Sequence, residues 1–80
     1  MESAEKIKEL LEFYTNIRVN SYKVFRQDGI RTILFKVDLD EEEISDELGS
    51  ASLDLSDKVD KLGFSLVDYT DGELYLIEND

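Results

Sequence analysis

Apolar positions along the chain follow two periods. In residues 40–63, Ile44, Leu48, Ala51, Leu55, Val59 and Leu62 recur at spacings of four, three, four, four and three. That is one unbroken stripe of an α-helix. Asp40 with Glu43 three residues later is a start signal, and acids in the first turn suit the positive end of the helix dipole. Lys58 and Lys61, then Gly63, are a stop signal. The expectation is one central helix over residues 40–63. Gly49 lies in its middle, where glycine costs about 1 kcal/mol relative to alanine, and Ser52 or Ser56 is able to cap a new helix. Two short helices meeting at Gly49 are the alternative.

The same period opens the chain. Ile7, Leu10, Leu11 and Tyr14 share a face, which predicts a first helix over residues 4–14 with Ser3 as its cap. Lys8 stands within pairing distance of Glu5 and Glu12. Its polar face is mixed in charge, which suits docking on a sheet better than lying on a membrane.

The remaining segments read as strands. Residues 17–26 and 30–39 are rich in Ile, Val, Tyr and Phe and flank Asp28-Gly29, a two-residue hairpin signal. With that turn, Phe25 faces Thr32, Val24 faces Ile33 and Tyr22 faces Phe35. One face then holds Tyr22, Val24, Ile33, Phe35 and Val37. The other holds Lys23, Phe25, Ile30, Leu34 and Lys36. Ile17 and Val19 fall out of phase, and a β-bulge near Asn20-Ser21 restores them. Residues 64–69 and 73–78 flank Asp71-Gly72 as a second hairpin. Pairing Thr70 with Glu73 puts Val67, Tyr69, Leu74 and Leu76 on one face and Phe64, Leu66, Tyr75 and Ile77 on the other. Asn79-Asp80 read as a tail. No proline or low-complexity linker divides the 80 residues, so one domain over residues 1–80 is expected. The predicted fold is α+β and two-layered: order αββαββ, a four-stranded, mostly antiparallel sheet, and two helices on one face.

This plan leaves a sheet face with nothing to cover it. Phe25, Ile30 and Leu34 lie on that face, and small monomers seldom expose a large contiguous apolar patch. A homodimer or partner contact through these three residues is one expectation; a strong twist that folds the hairpins onto each other, or helices on opposite faces, is the alternative.

Charge changes the picture most. Residues 1–36 contain five acids and seven bases, whereas residues 37–80 contain fifteen acids and two bases, and the whole chain carries −11. Such a field disfavours direct contact with nucleic acid or anionic membranes and favours a basic protein partner. The acids Glu43, Glu47, Asp54, Asp57 and Asp60 line the back of the central stripe. Three to four helical residues advance about 5 Å, a spacing comparable to phosphates along a strand. The first hairpin is locally basic, with Arg18, Lys23, Arg26, Arg31 and Lys36 against Asp28. These bases neutralise the acidic helix within the monomer, meet it in a second copy, or form a sparse nucleic-acid platform with Tyr22 and Phe25.

Catalytic chemistry is scarce. The chain has neither histidine nor cysteine, so Ser-His-Asp and Cys-His arrangements and Cys/His zinc sites are excluded by composition. The acidic run of residues 38–43 lacks the spacing of a calcium loop. No glycine-rich phosphate loop occurs. A non-enzyme without metal or cofactor is expected. No apolar run approaches the roughly 20 residues of a membrane span. Met1 to Glu5 lack the basic region and apolar core of a signal peptide. A cytoplasmic location, or the host cytoplasm for a viral protein, follows as the expectation.

In size, acidity, missing catalytic residues and compact α+β plan, the chain resembles the DNA-mimic and anti-CRISPR proteins of phages and archaeal viruses. The resemblance is one of type and carries no residues over. It implies an inhibitor whose acidic surface occupies a DNA- or RNA-binding protein. The chain is also similar to a shortened type III secretion chaperone, which implies a small dimeric chaperone or adaptor binding through the apolar sheet face. A small protein of structural role only is the third class. Salt separates the first two, because contacts between charges weaken with ionic strength and apolar contacts do not.

Overall fold

The computed structural model describes residues 3–79. The element order is α1 (Ser3–Tyr14), β1 (Val19–Gln27), β2 (Ile30–Val37), α2 (Glu41–Ser50), α3 (Leu53–Lys61), β3 (Phe64–Thr70) and β4 (Glu73–Glu78). The fold is α+β, as the two periods predict. The described residues form three helices, where the stripe predicts two.

In α1, Ala4, Ile7 and Leu11 face inward, and Lys8 pairs with Glu12 across one helical turn at 3.5 Å. Ser3, expected as the cap, is already helical. Glu5 turns to the sheet instead of to Lys8 and accepts a hydrogen bond from the Tyr22 hydroxyl at 2.8 Å.

The start of α2 follows the sequence. The Asp40 carboxylate accepts from the Glu43 N–H at 2.8 Å, and the Glu43 side chain accepts from the Asp40 N–H at 3.2 Å. This reciprocal cap satisfies two N–H groups that the helix itself leaves unpaired. The continuous helix over residues 40–63 does not form. Gly49 remains helical, and the break falls at Ala51 and Ser52, whose main chain is extended. Ser52 Oγ accepts from the Asp54 N–H at 3.1 Å. The physical reason is competition. The segment from Gly49 to Ser52 is rich in poor helix formers, and a serine that caps a new turn offers the main chain an alternative to continuing the old one. The apolar stripe survives the break. Ile44, Leu55 and Val59 are buried, and Leu48, Ala51 and Leu62 pack against them.

All strand pairings are antiparallel, in the order β1-β2-β4-β3. The first hairpin turns at Asp28 and Gly29, both at positive φ (53° and 79°), which matches the right-handed twist of the strands. Tyr22 faces Phe35, Val24 faces Ile33 and Phe25 faces Thr32, and the register shifts between Val19 and Ser21. That bulge returns Val19 to the core face, where it is buried beside Ile17.

The second hairpin departs from a strict two-residue alternation. Thr70 faces Glu73 and Tyr69 faces Leu74, but the register shifts between Leu66 and Asp68. The extra residue, Val67, moves every residue before it to the opposite face. Phe64 and Leu66 therefore lie on the helix side with Tyr69, Leu74 and Leu76, and Val67 turns to the open side. Burial supplies the reason: Phe64 is 2% exposed in the core, whereas Val67 is 52% exposed.

One hydrophobic cluster joins the elements. Phe35, Ile33, Leu74 and Leu76 in the two central strands meet Ile7, Leu11, Ile44, Leu55 and Val59 from the helices. The turn of the second hairpin is pinned to the end of β2. Val37 donates to the Gly72 carbonyl at 2.9 Å, and Gly72 donates to the Leu39 carbonyl at 2.8 Å. Gly72 has φ 77°, a conformation that favours glycine. Asn79, expected as tail, donates from its main chain to the Gly63 carbonyl at 2.7 Å. Among the described residues, no helix is long and apolar enough to cross a membrane.

Candidate functional site

The acids behind the apolar stripe separate into two kinds. Glu43 is committed to the cap of its own helix. Glu47 accepts from the Asn16 N–H at 2.7 Å and faces the Asn16 side-chain amide at 3.5 Å, so it binds α2 to the loop between α1 and β1. Asp60 accepts from the Asn79 side-chain amide at 3.0 Å, and Asn79 in turn accepts from Ser65 Oγ at 2.5 Å. These three carboxylates are engaged by partners within the chain. The side chains of Asp54 and Asp57 are exposed and make no hydrogen bond or ion pair with any described residue. They stand one turn apart on the outer side of α3, with Asp60 a further turn along.

The break between α2 and α3 creates a feature that the unbroken stripe conceals. A groove of about 460 Å³ opens between the elbow and β3. Its floor is core side chain, including Leu55, Val59 and Phe64, and its rim carries Ser52, Ser56, Asp57 and Asp60. Leu53 and Leu66 flank it, 84% and 38% exposed. Leu53 was visible in the sequence as an apolar residue off the stripe. Leu66 was hidden, because only the bulge at Val67 brings it to this side.

The open face of the sheet is better covered than the bare pattern implies. Leu34 is 8% exposed and Thr32 only 3%, although both lie on the face opposite Ile33 and Phe35. Both sit at the bottom of a concave groove walled by Phe25 and Lys23 on one side and Tyr75 and Ile77 on the other. Phe25 is half-buried, and Ile30 is 44% exposed at the margin. Of the three apolar residues expected to meet a partner, Leu34 is therefore already sheltered within the chain.

An ionic network lies on this same face. Lys36 pairs with Glu73, and Glu73 also accepts from the Tyr75 hydroxyl at 3.0 Å and from Thr70 Oγ1 at 3.4 Å. The Lys36 ammonium holds the Glu73 carboxyl below its ordinary range, and Glu73 in turn raises both Lys36 and the Tyr75 phenol. Elsewhere, the main-chain N–H of Val19, at 2.9 Å, is the chief cause that lowers Glu12.

Of the bases of the first hairpin, Arg18, Arg26, Arg31 and Lys36 are engaged, and Lys23 is exposed without a described partner. Arg31 stands 3.8 Å from Glu78 and 5.7 Å from the centre of the Phe64 ring. Arg26 donates to the Gly29 carbonyl and Arg18 to the Glu12 carbonyl. They neutralise and cap local groups, not the acids of α2 and α3. Among the described residues, no group of acidic side chains is arranged to hold a metal ion. Comparison with known families, with curated proteins and with solved structures returns no match for this chain.

Proposed function

We propose that the chain is a non-enzymatic protein-interaction module whose acidic α2–α3 surface occupies a basic, nucleic-acid-binding protein. The observation that supports this most is the unpartnered state of Asp54 and Asp57. Carboxylates used for structure are satisfied from within, as Glu47 and Asp60 are. These two are held on a capped helix, aimed at solvent and left without a cation. A rigid row of charge suits a partner that normally grips phosphates, because the row needs no ordering at the moment of contact. Such an inhibitor suits a virus acting on host defence, in the host cytoplasm.

Affinity capture on the immobilised chain tests the reading. A nucleic-acid-binding protein should be retained, released by salt, and lost when Asp54 and Asp57 are reversed to Lys. Retention that survives both treatments contradicts it.

A second reading rests on the open sheet face. Ile30 and Val67 are 44% and 52% exposed beside the groove that contains Phe25. A homodimer or an adaptor contact there would bury them. Light scattering at high concentration decides the dimer, and a strict monomer removes it.

A further inference from the structure

We infer that the groove at the α2–α3 elbow is a docking site for a basic amphipathic segment of the partner, with one large apolar side chain entering between Leu53 and Leu66. This deepens the acidic-surface reading and rests on it. The groove has the two chemistries such a segment needs, side by side. Its floor is hydrocarbon from Leu55, Val59 and Phe64, and its volume of about 460 Å³ accepts a leucine- or phenylalanine-sized group with room to spare. Its rim is acidic, with Asp57 and Asp60 lining it and Asp54 one turn before them on the same helix.

The charge of the rim selects the occupant. A fatty acid or another anionic amphiphile would bring its headgroup against Asp57. A cationic residue next to the inserted side chain meets Asp57 instead, and Asp57 has no described partner to give up. Leu53 is free to add apolar contact beside the groove. It is 84% exposed on the first turn of α3, beside the groove and off the apolar stripe that the core uses. In a helix-in-groove contact it would pack along the flank of the entering segment.

Two synthetic peptides of equal length and equal positive charge separate this inference from the reading below it. One places Lys and Leu in amphipathic helical order, and its twin carries Ser at every Leu. Each is titrated into the full chain at low salt, with amide resonances followed by NMR. The Lys/Leu peptide should bind about tenfold tighter or more, the order expected for one large buried apolar side chain. It should shift Leu53, Ser56 and Leu66. Leu53→Ser should remove most of that advantage while leaving the Lys/Ser twin unaffected, and the fold is safe because Leu53 is almost fully exposed. Val67→Ser, on the open face, should change neither. Equal binding by the twins overturns the groove and leaves the acidic surface standing. Resonance shifts confined to Phe25 and Ile77 overturn the groove as well. Failure of both peptides to bind at low salt removes the inference and the acidic reading together.

Discussion

The main-chain N–H of Asn16 donates to Glu47 Oε1 at 2.7 Å, and this bond joins α2 to the loop that follows α1. It separates an acid that builds the fold from the acids that the fold displays. Glu47→Ala should lower stability by about 1 kcal/mol, the net worth of one hydrogen bond whose exposed main-chain donor turns to water once the carboxylate is gone. Asp54→Ala and Asp57→Ala should each stay within about 0.5 kcal/mol of the parent, as exposed substitutions away from special contacts do. Urea unfolding measures both. Equal effects at all three positions would erase the distinction.

The break at Ala51 and Ser52 makes its own prediction. Ser52→Ala removes the oxygen that accepts from the Asp54 N–H and should cost about 1 kcal/mol. Gly49 is helical, and a Cβ added there meets nothing within 4 Å. Gly49→Ala should therefore stabilise the protein by up to about 1 kcal/mol. A destabilising Gly49→Ala would show that the glycine serves a purpose outside helix geometry.

Periodicity carried most of the fold, and its failures have definite causes. The stripe from Ile44 to Leu62 located the packed face of both α2 and α3, because a short extended break between the helices preserved the side that each buries. It did not locate the break, since helix propensities at Gly49, Ser50 and Ser52 differ by less than tertiary packing can override. The register of the first hairpin was legible because its turn dipeptide set it and a phase error at Ile17 and Val19 exposed the bulge, but its strands begin at Val19 and end at Val37, not at residues 17 and 39. The second bulge was silent. Leu66 and Val67 are both apolar, so either alternation looks satisfied, and only the burial of Phe64 decides between them. The groove was illegible for the same two reasons, since it needs the elbow and the bulge together.

The open-face network predicts a pH response with a clear sign. Glu73 lies below its ordinary value of 4.5, so its contribution to stability is present above that pH and fades as pH falls through the lowered value. Lys36 lies above 10.5, so its contribution is present below 10.5 and fades as pH rises through the raised value. The Tyr75 phenol should titrate above 10.0, held up chiefly by its hydrogen bond to Glu73. Glu73→Gln should bring it back towards 10.0. Ring ¹³C shifts of Tyr75 report this directly, and an unchanged titration in Glu73→Gln would assign the shift to another group.

Leu34 and Ile30 distinguish packing from association on the open face. Leu34 is buried within the chain, so Leu34→Ala should cost about 2 kcal/mol or more in urea unfolding. Ile30 is 44% exposed, so Ile30→Glu should leave stability nearly unchanged. If a dimer forms through this face, Ile30→Glu should dissociate it in sedimentation equilibrium. A dimer that tolerates Ile30→Glu uses another surface.

If Asp54 and Asp57 meet a basic partner as proposed, the affinity of the captured partner for the parent chain and for the Asp54→Lys, Asp57→Lys double variant, measured across a range of salt, reports it. Parent affinity should fall steeply as salt rises, and the double variant should not bind even at low salt while unfolding in urea like the parent. An affinity that stays flat with salt, matched by the double variant, would contradict it.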